Sequence, residues 1–398
     1  MTIARKIACW LVLSGLLLVT AEGLSFALAK LRPGLFSQRD RVVAALRAEL
    51  DRYPEFLERA YDPVLGWDNV PGEHRIRACD GRPVTATVLP DRSRRTPAVA
   101  GGPEVLLLGD SYAYGDEVGD EETFAWRLSE RLGVAVANHG VRGYSPVQAA
   151  LKLERVAGAH PRARVAVLAV THVDLARMVS RYRPLVDPRG GQEFGFEPYM
   201  DGDRLVPTPN GPTPAPAERL PELARAAFAE DWHALPEARF PYSLRVARLL
   251  AGHKLRHLLA ERFRGSYWGY FEDRGVMAGL AAVAERFVGY AEARRMAPVI
   301  AFVPTFDTDR AEAAPGVAAL RARLGARAVV TAVGDEPGDW SRYNIAYGCH
   351  PSAYGHGLIA THLARVIGPL LDPARATLAA GDPDRARPRL AALARPPR

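Results

Sequence analysis

Three short apolar runs constrain this chain more than any other feature. Glu104-Val-Leu-Leu-Leu108, Gly133-Val-Ala-Val-Ala-Asn138 and Val165-Ala-Val-Leu-Ala-Val170 show no polar alternation. They are apolar on both faces and need cover on both, as a buried parallel strand does. Between them lie two helical stretches. One is expected to open at Asp120–Glu122, whose acids suit a helix N-terminus; the other spans Pro146–Ala159, with proline in the first turn. Strand, helix, strand, helix, strand predicts an α/β fold, a parallel sheet with helices on both faces. The rhythm resumes later. Helical patterns return at Tyr242–Arg264 and Val276–Met296, strands at Pro298–Val303 and Ala326–Val333, and a final helix at His356–Ile367. Residues 183–240, including PTPNGPTPAPAERLP, break the pattern and predict an insertion, placed at about 183–265.

The N-terminus sets the compartment. Arg5 and Lys6 precede an apolar run from Ile7 to Ala29, 23 residues interrupted only by Glu22. At 1.5 Å per residue that length crosses a hydrocarbon core of ~30 Å. Positive charge ahead of the run favours a cytoplasmic N-terminus and export of everything after residue 32. The competing reading is a cleaved signal peptide, because Ala27-Leu-Ala29 fits a small-residue cleavage site. Glu22 is costly in lipid and is expected near the outer interface or against a partner helix. The organisation expected is therefore a signal-anchor at 1–31 and a juxtamembrane helix (36–60) with small strands and loops, including Val84–Val88, at 32–102. The main domain follows at 103–372, with a disordered basic tail at 373–398.

Composition then removes one class of partner. Lysine and arginine number 52 against 45 aspartate and glutamate, for a net charge of +7. The excess sits in residues 1–32 and in the tail after Asp372, so the body is neutral. A neutral body lacks the electrostatic footprint that phosphate backbones demand, and nucleic acid is excluded as a partner. Three cysteines make no C-x-x-C pair and no zinc framework. In an exported body Cys79 and Cys349 can pair as a disulfide or remain thiols. His253 and His257 have the i, i+4 spacing of metal ligands, with no third ligand in view, and no metal or cofactor is expected.

The strongest chemical signal is Leu106-Leu-Leu-Gly-Asp-Ser-Tyr-Ala-Tyr-Gly115. A serine on the turn leaving the first parallel strand stands where open α/β sheets hold reactive groups. Its hydroxyl would be exposed, with helix N–H groups beside it. The plainer reading is a helix capped at Asp110-Ser111. The second signal is Gly348-Cys-His-Pro-Ser-Ala-Tyr-Gly-His356 ahead of the last helix. A histidine there can return to Ser111 as its general base; His350 is the first candidate and His356 the second. Tyr112 and Tyr114 are expected to line a cleft or to pack, and Trp67 to dock the N-terminal segment on the main domain.

Gly109-Asp-Ser111 after one strand, Asn138-His-Gly-Val-Arg-Gly143 after the next and His350-Pro-Ser before the last helix resemble the SGNH/GDSL hydrolases. The resemblance spans about Glu104–Leu370. It is strongest to membrane-anchored bacterial members, some related in plan to enzymes that acetylate exported polysaccharides. It implies a flavodoxin-like three-layer sandwich, Ser111 as nucleophile, His350 as base, and the N–H groups of Ser111 and Gly143 as oxyanion donors. Two positions depart from the family pattern. The third block usually offers an oxyanion asparagine, whereas Thr171-His-Val-Asp174 carries Val173 there, with His172 as a substitute candidate. The family aspartate two or three residues before the histidine is replaced by Gly348 and Tyr347. That leaves a Ser–His dyad oriented by a backbone carbonyl, or an acid from elsewhere, Asp339 or Asp335. The function expected is a serine esterase or O-acyltransferase at the inner membrane, its catalytic domain on the periplasmic side. The substrate expected is an acyl ester of envelope or exported carbohydrate. A catalytically degenerate envelope protein that binds glycan or a protein partner is the alternative.

Overall fold

The structure, a computed structural model, describes residues 2–187, 192–252, 255, 268–305, 314–346 and 349–372. The basic tail, His253 and His257, and Tyr347 and Gly348 lie outside the described residues. Contacts divide the chain into two units. One comprises Met1–Tyr53, Tyr182–Phe194 and Ala215–Gly269; the other comprises Pro54–Arg181, Gly195–Pro214 and Tyr270–Arg398. Residues 54–102, grouped with the juxtamembrane part on sequence, thus fold with the sheet. The stretch 183–265 is shared between the units.

The larger unit is the expected α/β sandwich. Its five parallel strands are β1 (Val105–Leu108), β2 (Val136–Asn138), β3 (Val165–Val170), β4 (Ala297–Phe302) and β5 (Val329–Ala332). Their spatial order is 2-1-3-4-5, that of a flavodoxin-like sheet, whose strand order reverses between β1 and β3. Every residue of β1 and β3 is buried on both faces, as their unbroken apolar runs require. One face carries the core of Val105, Leu107, Val167, Val299 and Ala301, packed on Phe124, Leu128, Ile359 and Leu363. Val165 pairs with Val105 on one side and Ala297 on the other. This register brings the turns after β1, β3 and β4 to one edge of the sheet.

Beside the edge strand β2, the hairpin Gly72–Arg77/Pro83–Val88 and the chain after it protect backbone groups that would otherwise stay open. Arg94 N–H donates to Asn138 O at 2.7 Å, and Thr96 Oγ1 donates to Val136 O at 2.6 Å.

The smaller unit holds α1 (Ile3–Leu31), α2 (Arg39–Ala48), α7 (Leu220–Glu230) and α8 (Tyr242–Ala251), with α1 packed on α8 and α2 on α7. The single helix expected over 36–60 is broken at Glu49–Arg52. Pro54 explains the break. Inside a continuous helix its ring would clash with the carbonyl of Leu50, four residues back; here it sits in the first turn of a new helix.

Candidate active site

Ser111 opens the one-turn helix α3 (Ser111–Tyr114), directly after β1. Asp110 caps that turn, its carboxylate accepting from Tyr112 N–H at 2.9 Å. As the first residue of the helix, Ser111 has an N–H with no intrahelical acceptor. The loop after β2, residues 138–143, runs alongside. His139 N–H donates to Leu107 O at 2.8 Å, and Val141 N–H to Gly109 O at 3.0 Å. Asn138 ties this loop to α3 by donating to Ala113 O at 2.8 Å. Gly140 must be glycine, since a Cβ there would come within 2.3 Å of Tyr114 N. Gly143 turns the chain with φ 81°, a left-handed conformation natural to glycine.

Residues 65–69 buttress the same loop. Trp67 Nε1 donates to Arg142 O at 3.1 Å, Tyr144 Oη to Trp67 O at 2.6 Å, and Asn69 Nδ2 to Gly140 O at 2.9 Å. Trp67 therefore anchors the loop that carries Gly143.

The last loop brings His350 to the serine. Its Nε2 lies 2.9 Å from Ser111 Oγ. The ring leans on Tyr112 with centroids 5.2 Å apart. Asn344 holds the loop through Thr305 O and Cys349 O at 2.9 and 2.8 Å. A disulfide joins Cys349 to Cys79 across 270 residues, tying the neighbour of His350 to the hairpin.

The third member is a residue that the sequence reading missed. Glu117 Oε2 stands 3.3 Å from His350 Nδ1 and accepts from His350 N–H at 3.2 Å. The tautomer that satisfies both ring nitrogens carries its proton on Nδ1 and receives the serine O–H at Nε2. His350's hydrogen bond, against the opposing effect of burial, holds the Glu117 carboxyl below its ordinary range. Glu117 has φ 66°, a conformation that costs a non-glycine residue ~1–2 kcal/mol. A buried arginine imposes the shape of this turn. Arg94, fully enclosed, donates to Tyr114 O at 3.2 Å, Gly115 O at 2.7 Å and Val118 O at 2.8 Å, and pairs with Asp120 at 3.0 Å.

Asp339, expected as a candidate acid, serves its own turn instead. Its carboxylate accepts from Ser341 N–H and Oγ at 3.1 and 2.6 Å. Asp335 is exposed. His356 is buried, and its Nδ1 accepts from Phe124 N–H at 3.1 Å, so it caps helix α4 (Phe124–Leu132). Asp120–Glu122 form a short 3-10 turn ahead of α4. Asp120 is drawn to Arg94, and Glu122 pairs with Arg82 at 3.1 Å. Tyr114 packs with Ala86 and Val88 beneath Arg94.

His172 starts α6 (His172–Met178) at the sheet edge after β3. It is buried with its ring edge-on to Phe271 at 5.4 Å, and burial pushes its pKa down to about 4. Arg177 bridges two buried carboxylates beneath this edge, Asp110 at 3.2 Å and Asp174 at 2.8 Å. Burial and the neighbouring Asp110 charge push the Asp174 carboxyl well up.

Asp91, His139 and His160 gather metal-type donors within 4.8 Å of one another. The two imidazoles share a hydrogen bond at 3.0 Å between their Nε2 atoms, and burial lowers both pKa values. His139 Nδ1 is buried with no hydrogen-bond partner. A metal on Nε2 would leave a buried N–H there without an acceptor, so the residues fit a histidine pair better than a metal centre.

No family model matches the chain, and no curated protein matches it. Among solved structures it is similar to a protein from Desulfitobacterium hafniense DCB-2 described as a "putative lipolytic protein of G-D-S-L family". The identity is 11% and the TM-score 0.31, over 66% of this chain and 98% of that one. A likeness of that size carries no weight beside the sheet order and the distances at Ser111.

Proposed function

We propose that this chain is an exported, membrane-anchored serine esterase or O-acyltransferase of the SGNH type. The observation that carries the reading is the line Ser111 Oγ, His350 Nε2, His350 Nδ1, Glu117 Oε2, at 2.9 and 3.3 Å. Ser111 Oγ attacks an ester carbonyl while His350 takes its proton, and Glu117 stabilises the imidazolium that forms. The N–H groups of Ser111 and Gly143 hold the oxyanion. His350 then returns the proton to the leaving alkoxide, and the acyl group stays on Ser111. Water or a sugar hydroxyl, deprotonated by His350, releases it. The family's asparagine donor is absent at Val173, and one such donor is worth about 2.7–4 kcal/mol in a characterised protease. His172, neutral and at the same sheet edge, is the candidate to supply part of it.

Export is supported by the Cys79–Cys349 bond, which belongs to an oxidising compartment, and by the length and apolar character of α1. Retention of α1 is supported by Ala29, the last residue of the small-residue pattern, which is buried with Phe36 and Leu249. With Arg5 and Lys6 in its first turns, ahead of the apolar run, α1 would cross the inner membrane once and leave the sheet unit in the periplasm. Such a tether suits esters of envelope or exported carbohydrate. The acid partner that Glu117 offers His350 supports the catalytic reading over the degenerate one.

The test is covalent. A fluorophosphonate should phosphonylate the full-length protein on the peptide containing Ser111 and spare Glu117→Gln at matched exposure. Absence of any adduct on the wild-type peptide would overturn the reading.

A further inference from the structure

Among the described residues, the exposed large apolar side chains are confined, Val64 apart, to α1 and to the stretch 240–250. In that second stretch Phe240 is 72%, Leu244 46% and Leu250 66% exposed. Leu244, Ala247 and Ala251 recur at the spacing of one helical face and all three are exposed, with Leu250 at the border of that face and Phe240 exposed just ahead of the helix. The opposite face is engaged: Leu249 is buried with Ala29 of α1 and Phe36, with Val246 and Tyr242 packed alongside.

The helix is fixed to α1 at a defined level. The Glu22 carboxylate, the lone acid in the apolar run, accepts the N–H of Tyr242 and, at 3.0 Å, that of Ser243. It thereby caps the start of α8 in place of a local side chain. Phe26 meets Tyr242 edge-on at 5.2 Å, and Lys30 stands over Phe26. Glu22 and Lys30 bound the stretch of α1 that leaves the hydrocarbon, because charged groups settle at the interface rather than the bilayer centre. A helix capped by Glu22 therefore starts at headgroup level.

We propose that α8 is a membrane-interfacial helix. Its Leu244–Ala247–Ala251 face, with Phe240 ahead of the helix and Leu250 at the border, lies in the lipid headgroup–acyl boundary beside α1, and the exposed Arg248 at the other flank faces the phosphates. The proposal rests on α1 being retained as a membrane span. What commits it to lipid is continuity: α8 is docked on the helix whose remaining apolar surface is itself exposed over its first five turns, and an amphipathic helix with arginine at its polar border is suited to that boundary. The same geometry accounts for Glu22, whose charge is spent on two backbone donors instead of facing lipid alone.

The experiment uses full-length protein in a Cys9→Ala background, reconstituted in phosphatidylethanolamine–phosphatidylglycerol vesicles. Single cysteines replace Leu16, Leu244 or Leu250, and each carries an environment-sensitive fluorophore. Lipids brominated near the headgroup or deep in the acyl chain quench it. The expected result is strong quenching of the labels at 244 and 250 by shallow bromines, with blue-shifted emission, and of the label at 16 by deep bromines. Quenching at 16 with none at 244 and 250 overturns the interfacial helix while leaving the anchor intact. No quenching at any of the three overturns both. Crosslinking between two copies through position 244, without lipid quenching, assigns the face to self-association and likewise overturns the proposal.

Discussion

Replacing Glu117 by glutamine removes the charge facing His350 while keeping the size of the side chain. The carboxylate oxygen lies 3.3 Å from Nδ1, with both side chains about one-fifth to one-quarter exposed. At effective dielectric constants of ~20 to 40, a unit charge pair at that distance interacts by about 2.5–5 kcal/mol. In the proposed mechanism that interaction exists only when His350 is protonated, the state reached as Ser111 attacks. Its loss therefore raises the barrier and leaves ground-state binding nearly untouched. At 1.36 kcal/mol per decade, kcat for ester turnover should fall about 10²- to 10⁴-fold with little change in KM. The amide also offers N–H where Nδ1 needs an acceptor, favouring the wrong tautomer. Steady-state kinetics on the full-length protein in detergent measures this. Glu117→Gly is the companion: it removes the same carboxylate yet relieves the left-handed backbone at φ 66°. Activity should drop as far while unfolding stability stays within about 1 kcal/mol of wild type. Turnover by Glu117→Gln within about threefold of wild type would refute the role given to Glu117.

Other consequences follow from neighbouring residues. Arg94→Met strips three carbonyls and Asp120 of their buried donor and should cost about 3–5 kcal/mol in denaturant unfolding. Reducing the Cys79–Cys349 bond, or replacing both by serine, frees the loop beside His350. Stability should drop by up to about 5–6 kcal/mol on a chain-entropy account, with loss of turnover, and thermal unfolding with and without reductant reads it. His172 titrates at about 4 in the folded protein and near 6.5 when unfolded, so the unfolded state binds the proton first as pH falls. Stability should therefore decline between pH 6.5 and 4, by up to about 1.4 kcal/mol per pH unit, and His172→Gln should flatten that limb in melting curves taken across it.

The sheet was legible because its evidence is local. Val105–Leu108 and Val165–Val170 have nothing polar to place, and each is followed by its own turn. Ser111 and His350 were legible for the same reason, each lying in a short block at an element boundary. Glu117 was not. It sits six residues after Ser111 in a run of acids, Asp116 to Glu122, whose members are told apart only by what folds against them: Asp120 meets Arg94, Glu122 meets Arg82, and Glu117 meets a histidine 233 residues away. Asp339, the nearest acid before His350 in the sequence, has its carboxylate committed to Ser341. Arg94, the buried cation that shapes the Glu117 turn, stood in a Gly- and Pro-rich stretch with no periodicity to mark it. The disulfide was open for a similar reason, since pairing across 270 residues depends on where the hairpin lands.

The central claim is that Ser111 is a nucleophile activated by His350. The most direct test is p-nitrophenyl acetate turnover by purified full-length protein, wild type beside Ser111→Ala. The account predicts a pre-steady-state burst or steady turnover in the wild type that falls to the uncatalysed background in the variant. Equal rates in the two proteins would contradict it.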